Sequence, residues 1–179
     1  RLLEDLCRER DARFTLRGHT GIVWSVAISP DYSRLLSAGA DGSVKVWETT
    51  SGKLLHHLAD SRLPVHAVTC SPDGRTLASG GRDFTVTLRD AASFEVRHRL
   101  KGHKDAIRTL VFSADGRRLA SGGEDKQLLI WDPAEGRLLD QLPETMSVEC
   151  LAFAPDGSLI AAAGTDEKVH LWNLATHEL

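Results

Sequence analysis

The sequence predicts an all-β fold, a β-propeller of four-stranded antiparallel blades with four blades in this chain. Three observations carry that expectation. Asp41, Asp83, Asp125 and Asp166 recur at intervals of 42, 42 and 41 residues, and a fixed period near that length marks a repeat architecture. Around each aspartate the chain repeats one phrase: SRLLSAGADGSVKVWE, GRTLASGGRDFTVTLRD, GRRLASGGEDKQLLIWD and GSLIAAAGTDEKVHLWN. Upstream of each stands a second shared segment, IVWSVAISPDY, PVHAVTCSPDG, AIRTLVFSADG and SVECLAFAPDG, in which apolar residues alternate before a turn.

In each period the alternating segment reads as a first strand with one buried face. The following turn holds Asp31, Asp73, Asp115 or Asp156, where an Asp side chain bonds nearby backbone. A second run follows, typified by Arg75 to Ser79, and a Gly-rich bend leads to a third, typified by Val44 to Trp47. A fourth run, such as Leu54 to Leu58 or Val96 to Leu100, closes the unit. Four short strands per period make one blade, and the blades fall at about 14–58, 59–100, 101–142 and 143–179 within a propeller segment of 12–179. Residues 1–11 place Leu2, Leu3, Leu6 and Cys7 at helical spacing amid charges, the pattern of a short amphipathic helix or linker. Ala12 to Leu16 matches the closing run Arg97 to Leu100, whereas the chain stops at Leu179 where the fourth blade should begin its last strand. Both ends read as cut from something larger.

Gly18-His19 with Trp47-Glu48, and Gly102-His103 with Trp131-Asp132, resemble the bounding dipeptides of the WD-repeat family, and the resemblance covers Phe14 to Leu179. The Ser-Pro-Asp-Gly-Arg phrasing is similar to bacterial tandem arrays attached to kinase, protease-like or nucleotide-binding signalling domains. The resemblance implies a propeller that usually closes with about seven blades. Four repeats would then be a portion of a longer ring, or half of an eight-bladed ring made with a second copy.

The 179 residues are 41% hydrophobic, enough to build a core. The longest apolar runs stop far short of a membrane span, and no signal-peptide pattern precedes the repeats, so a cytoplasmic protein is expected. A net charge of −3 leaves no electrostatic footprint for nucleic acid, and the basic cluster of Arg97, Arg99, Lys101 and Lys104 reads as a solvated strand face. Cys7, Cys70 and Cys150 lack Cys-x-x-Cys spacing, so neither a disulfide framework nor a zinc site is indicated. Cys70 stands in the column of Ile28, Phe112 and Phe153, as a small core residue. His56 and His57 are adjacent on a strand and point to opposite faces, a poor grip for one metal. SAGADG, SGGRD and SGGED lack the Gly-Lys-Ser/Thr ending of a phosphate cradle. No cofactor or metal is expected.

His19, Ser37 and Asp41 supply the residue types of a nucleophilic triad, and His103, Ser121 and Asp125 repeat them. No strained nucleophile elbow accompanies either set. The resemblance implies instead a structural network from Trp through Ser and His to Asp, complete in blade one (His19, Ser37, Asp41, Trp47) and blade three (His103, Ser121, Asp125, Trp131). Blade two retains Ser79 and Asp83 but has Ser61 and Arg89 for His and Trp. Blade four retains Asp166 and Trp172 but has Glu144 and Ala162. Those two blades are expected to open more easily.

Binding residues collect on loops held by rigid strands. The resemblance implies a partner-binding face built from Ile22, Trp24 and Ala40; Pro64, His66 and Arg82; Ala106, Arg108 and Glu124; and Ser147, Glu149 and Thr165. Trp24 is the expected anchor, with Val23 and Val26 supplying the buried positions of its strand. Arg82 and Arg108 flanking it would favour an acidic or phosphorylated segment. The expected function is a non-catalytic scaffold that binds a protein or peptide, as the docking or sensor part of a larger regulatory protein. The alternatives are a propeller enzyme with a polar channel, or a nucleic-acid or ribonucleoprotein binder.

Overall fold

The computed structural model describes residues 15–59, 61–144 and 146–176, and every regular element among them is a strand. Blade one is β1 (Val23–Ile28), β2 (Arg34–Gly39), β3 (Ser43–Glu48) and β4 (Leu54–Ala59). Blade two is β5 (Val65–Cys70), β6 (Thr76–Gly81), β7 (Thr85–Asp90) and β8 (Val96–Lys101). Blade three is β9 (Ile107–Phe112), β10 (Leu119–Gly123), β11 (Gln127–Asp132) and β12 (Arg137–Pro143). Blade four shows β13 (Val148–Phe153), β14 (Leu159–Gly164) and β15 (Val169–Asn173). Each blade is an antiparallel sheet in sequence order; blades one to three have the four strands read from the period, and blade four shows three among the described residues. The proposed linker at 1–11 and most of the proposed closing strand lie outside the described residues; Thr15 and Leu16 are not in a strand.

The turns that join first to second strands are locked as their composition suggests. Asp31 accepts from the Ser29 and Ser33 hydroxyls and from Ser33 N–H, and Asp73, Asp115 and Asp156 accept from Ser71, Ser113 and Ser158 in the same way. These bonds hold the Asp31 and Asp73 carboxyls below their ordinary range.

The core lies in the seams between blades. Between blades two and three, Val86, Leu88 and Leu100 pack against Ile107, Phe112 and Trp131, and corresponding clusters fill the other two seams. The end blades show what a seam provides. Val68 is 5% exposed against blade one, whereas its counterpart Val26 is 62% exposed. Val44 is 2% exposed against blade two, whereas its counterpart Val169 is 72% exposed. Val23 and Val26, expected to be buried, are therefore open, because no described blade precedes blade one. Blades one and four each present half of an inter-blade interface.

Candidate functional site

One position in each first strand departs from regular pairing. The register shifts between Val23 and Ser25, between Val65 and Ala67, at Ile107 to Thr109, and between Val148 and Cys150. The residues left over are Trp24, His66, Arg108 and Glu149. A bulge releases one residue from the ladder and re-aims its side chain, so four repeats of one local irregularity bring this column together at one end of the molecule. The flanking backbone is tied down: Ala40 N–H donates to Ile22 O, Arg82 N–H to Pro64 O and Glu124 N–H to Ala106 O.

The column forms a chain across the blades. The Trp24 and His66 rings lie 5.5 Å apart. Arg108 donates from Nη1 to His66 Nδ1 at 3.2 Å, pairs with Glu124 and approaches Glu149, which accepts from Ser147 Oγ at 2.8 Å. Burial, then the Arg108 charge, lower the His66 pKa, which suits a ring that accepts from a guanidinium.

Trp24 remains 48% exposed and Ile22 63% exposed beside it; Arg82, Glu149 and Thr165 are exposed. Ala40, Pro64, Arg108, Glu124 and Ser147 are half-buried and His66 is buried. Ala106 is a correction: at 1% exposed it offers no surface to a partner. The sequence reading also missed Leu63 and Phe84, exposed apolar residues at the same end. Phe84 takes the left-handed position that Gly42 fills in blade one, and such a side chain projects outward from the turn. Blades one and two thus carry the apolar surface of this end together with the exposed Arg82, and blades three and four carry Arg108, Glu124 and Glu149.

The two triads are chains of hydrogen bonds in the predicted order. Trp47 Nε1–H donates to Ser37 Oγ at 2.8 Å, Ser37 donates to His19 Nε2 at 2.7 Å, and His19 Nδ1–H donates to Asp41 at 2.9 Å. Trp131, Ser121, His103 and Asp125 repeat this at 2.8, 2.7 and 3.0 Å. Ser121 is 0% exposed, and its oxygen already holds an indole N–H, so it is not poised as a nucleophile. Burial works to raise the Asp125 pKa, but the bonds from His103 and from Lys104 N–H outweigh it and the net shift is downward; Asp41 is held down likewise. The dipeptide Gly-His follows from the same packing, since a Cβ on Gly102 would meet the Trp131 ring at 2.8 Å.

Blade four holds a different network. Trp172 Nε1–H donates directly to Glu144 Oε1 at 2.7 Å, and His170 bridges Glu144 at 2.5 Å and Asp166 at 3.0 Å. Glu144 takes the serine's place as indole acceptor, and an imidazole from the third strand reaches the repeated Asp. Blade four thus connects its indole to the repeated Asp by a different route from blades one and three. In blade two, Arg89, at the Trp position, donates to Phe94 O at 2.9 Å. Phe94 sits at φ 60 where blades one and three have Gly52 and Gly136, and its ring lies 4.1 Å from His56 of blade one with Arg34 over its face. His57 turns the other way, accepting from the buried Lys45 at 3.0 Å. The described residues contain no cluster of side chains suited to a metal ion.

The family model described as WD domain, G-beta repeat matches residues 11–48, 52–90, 94–132 and 136–173. The chain is 46% identical over 56 residues to the small ribosomal subunit protein RACK1z of Arabidopsis thaliana, covering 31% of this chain and 17% of that protein. It is 45% identical over 42 residues to eukaryotic translation initiation factor 3 subunit I of Phaeosphaeria nodorum, covering 24% and 13%. Among solved structures, U3-55K superposes with a TM-score of 0.85 at 27% identity, covering 91% of this chain and 52% of that one. The chain thus spans about half of U3-55K and under a fifth of those two curated relatives.

Proposed function

The chain belongs to the WD-repeat family, and from that premise we propose that it is a non-catalytic scaffold whose bulged end docks a protein or peptide partner. The observation that supports this reading most is Trp24, about half exposed on a bulge and backed by the His66 ring, with the exposed Ile22 and Leu63 at the same end. A rigid aromatic anchor inside a polar rim is the composition of a binding hot spot. An acidic or phosphorylated segment in the partner would meet Arg82, since the Arg108 charge is already engaged by Glu124. The setting is a cytoplasmic regulatory protein; no helix among the described residues is long and apolar enough to cross a membrane.

The test is selection of peptides on the chain from a random library, followed by binding to variants. Trp24→Ala and Arg82→Glu are expected to abolish capture, whereas Arg117→Ala, exposed at the opposite end, is expected to leave it unchanged. Peptides that bind the Trp24→Ala variant as well as the parent would overturn the reading. A second reading, docking on a ribonucleoprotein, draws on the names of the two relatives that belong to translation assemblies. It predicts RNA binding that weakens steeply with salt, because phosphate contacts release counterions.

A further inference from the structure

At the end opposite Trp24, the seam between blades one and two opens into a cavity of about 540 Å³, a volume typical of small-molecule sites. Its floor is Pro30, Leu36, Cys70, Leu77 and Ala91. A single column accounts for much of this space. In the next seam Phe112 fills the matching position and is 8% exposed, and in the third seam Phe153 packs against the core cluster. Blade two places Cys70 there instead, half-buried, with a thiol pKa pushed up to about 11, first by burial. Leu36, facing it where later blades have Ala78 and Ala120, takes back part of the room, and the cavity remains.

The rim carries three carboxylates and three guanidiniums, and they are not equally available. Asp31 and Asp73 are bonded within their own turns, and Asp90 accepts from Ala92 and Ser93 N–H and pairs with Arg97. Arg34 spends one donor on Ala91 O at 2.5 Å, out of the five that a guanidinium offers. The exposed Arg75 has no side-chain hydrogen bond or ion pair among the described residues. Arg75 and the remaining donors of Arg34 are therefore the rim cations left for a ligand, beside carboxylates already bonded within their own turns or to Arg97.

We propose that this cavity binds an aromatic ring bearing a carboxylate, with the ring in the space that Phe112 fills one seam on and the carboxylate on Arg75 and Arg34. The ligand is either a small aromatic acid or the C-terminal aromatic residue of a peptide. The site is independent of the Trp24 face, so either can fail without the other.

The experiment is NMR titration of the whole chain with phenylacetate, N-acetylphenylalanine, its amide, and the peptide Ala-Ala-Phe. The acids are expected to give saturable shifts at Leu36, Leu77 and Cys70, and the amide to bind about tenfold more weakly for loss of one charge-assisted hydrogen bond. Tighter binding of Ala-Ala-Phe than of phenylacetate would identify a peptide end; the reverse order would identify a free acid. Cys70→Phe is expected to keep the fold, since later blades carry Phe in this column, and to abolish binding. As a second readout, ligand should slow alkylation of Cys70 relative to the exposed Cys150. Absence of saturable shifts at millimolar ligand, or undiminished binding by Cys70→Phe, would overturn the proposal.

Discussion

Replacing Glu144 separates a rewired blade from a weak one. Its side chain is 0% exposed and accepts from both Trp172 and His170. Glu144→Ala strands a buried indole N–H, which costs about 1–3 kcal/mol, and breaks a buried carboxylate–imidazole contact. Loss of one partner from such a pair costs about 3–5 kcal/mol. The two effects share atoms and do not add, so the expected total is about 3–5 kcal/mol. In Glu144→Gln the amide oxygen still serves Trp172, while the amide NH₂ can donate to His170 Nδ1 and leave Nε2–H for Asp166. That variant should cost about 1 kcal/mol, one ordinary hydrogen bond. Native-state hydrogen exchange on β14 and β15 reads the difference locally, which matters because repeat arrays open unit by unit. A gap of about 2 kcal/mol is roughly thirtyfold in protection. If the Ala and Gln variants exchanged at equal rates, Glu144 would be filling space and the network would carry nothing.

Asp125→Asn in blade three is expected to cost about 1–3 kcal/mol, read by urea unfolding. Because the folded pKa of Asp125 is depressed, its stabilisation is complete above the ordinary carboxylate value of about 3.9 and is lost as pH falls through the lower folded value. The parent should therefore lose stability below about pH 4 more steeply than the Asn variant. Phe94 should show an inverted order in thermal melts. Both small replacements lose the ring packed on His56 and Arg34, but glycine escapes the left-handed penalty of about 1–2 kcal/mol that alanine meets at φ 60, so Phe94→Gly should be the milder. Val26→Lys should shift unfolding by no more than about 0.5 kcal/mol, because the side chain is already open. The same change at Leu110, in the same column but buried, should cost several times as much.

The period and the strands were legible in the sequence because each depends on residues at fixed offsets within one repeat, and the two complete networks were legible through the WD-repeat resemblance that those residues carry. Alternation sets which face is apolar, and the register of a hairpin then decides that Ser37 meets Trp47. The bulge column was legible only as a set of positions, since nothing in Trp24, His66, Arg108 and Glu149 as residue types announces that the ladder slips there. Tertiary structure alone decided the rest. Glu144 and His170 are 26 residues apart and replace a missing serine only because the loop into blade four passes over β15. Phe94 locks blade two to blade one from a turn where glycine was the natural choice. Val26 and Val169 have the same apolar character as their buried counterparts and are open because a seam needs two blades. A repeat encodes its own strands through local pattern, whereas what lies across a seam depends on the neighbour that packs there. Cys70 in place of a phenylalanine leaves a cavity because Leu36, which stands opposite it where later blades have alanine, fills only part of the space.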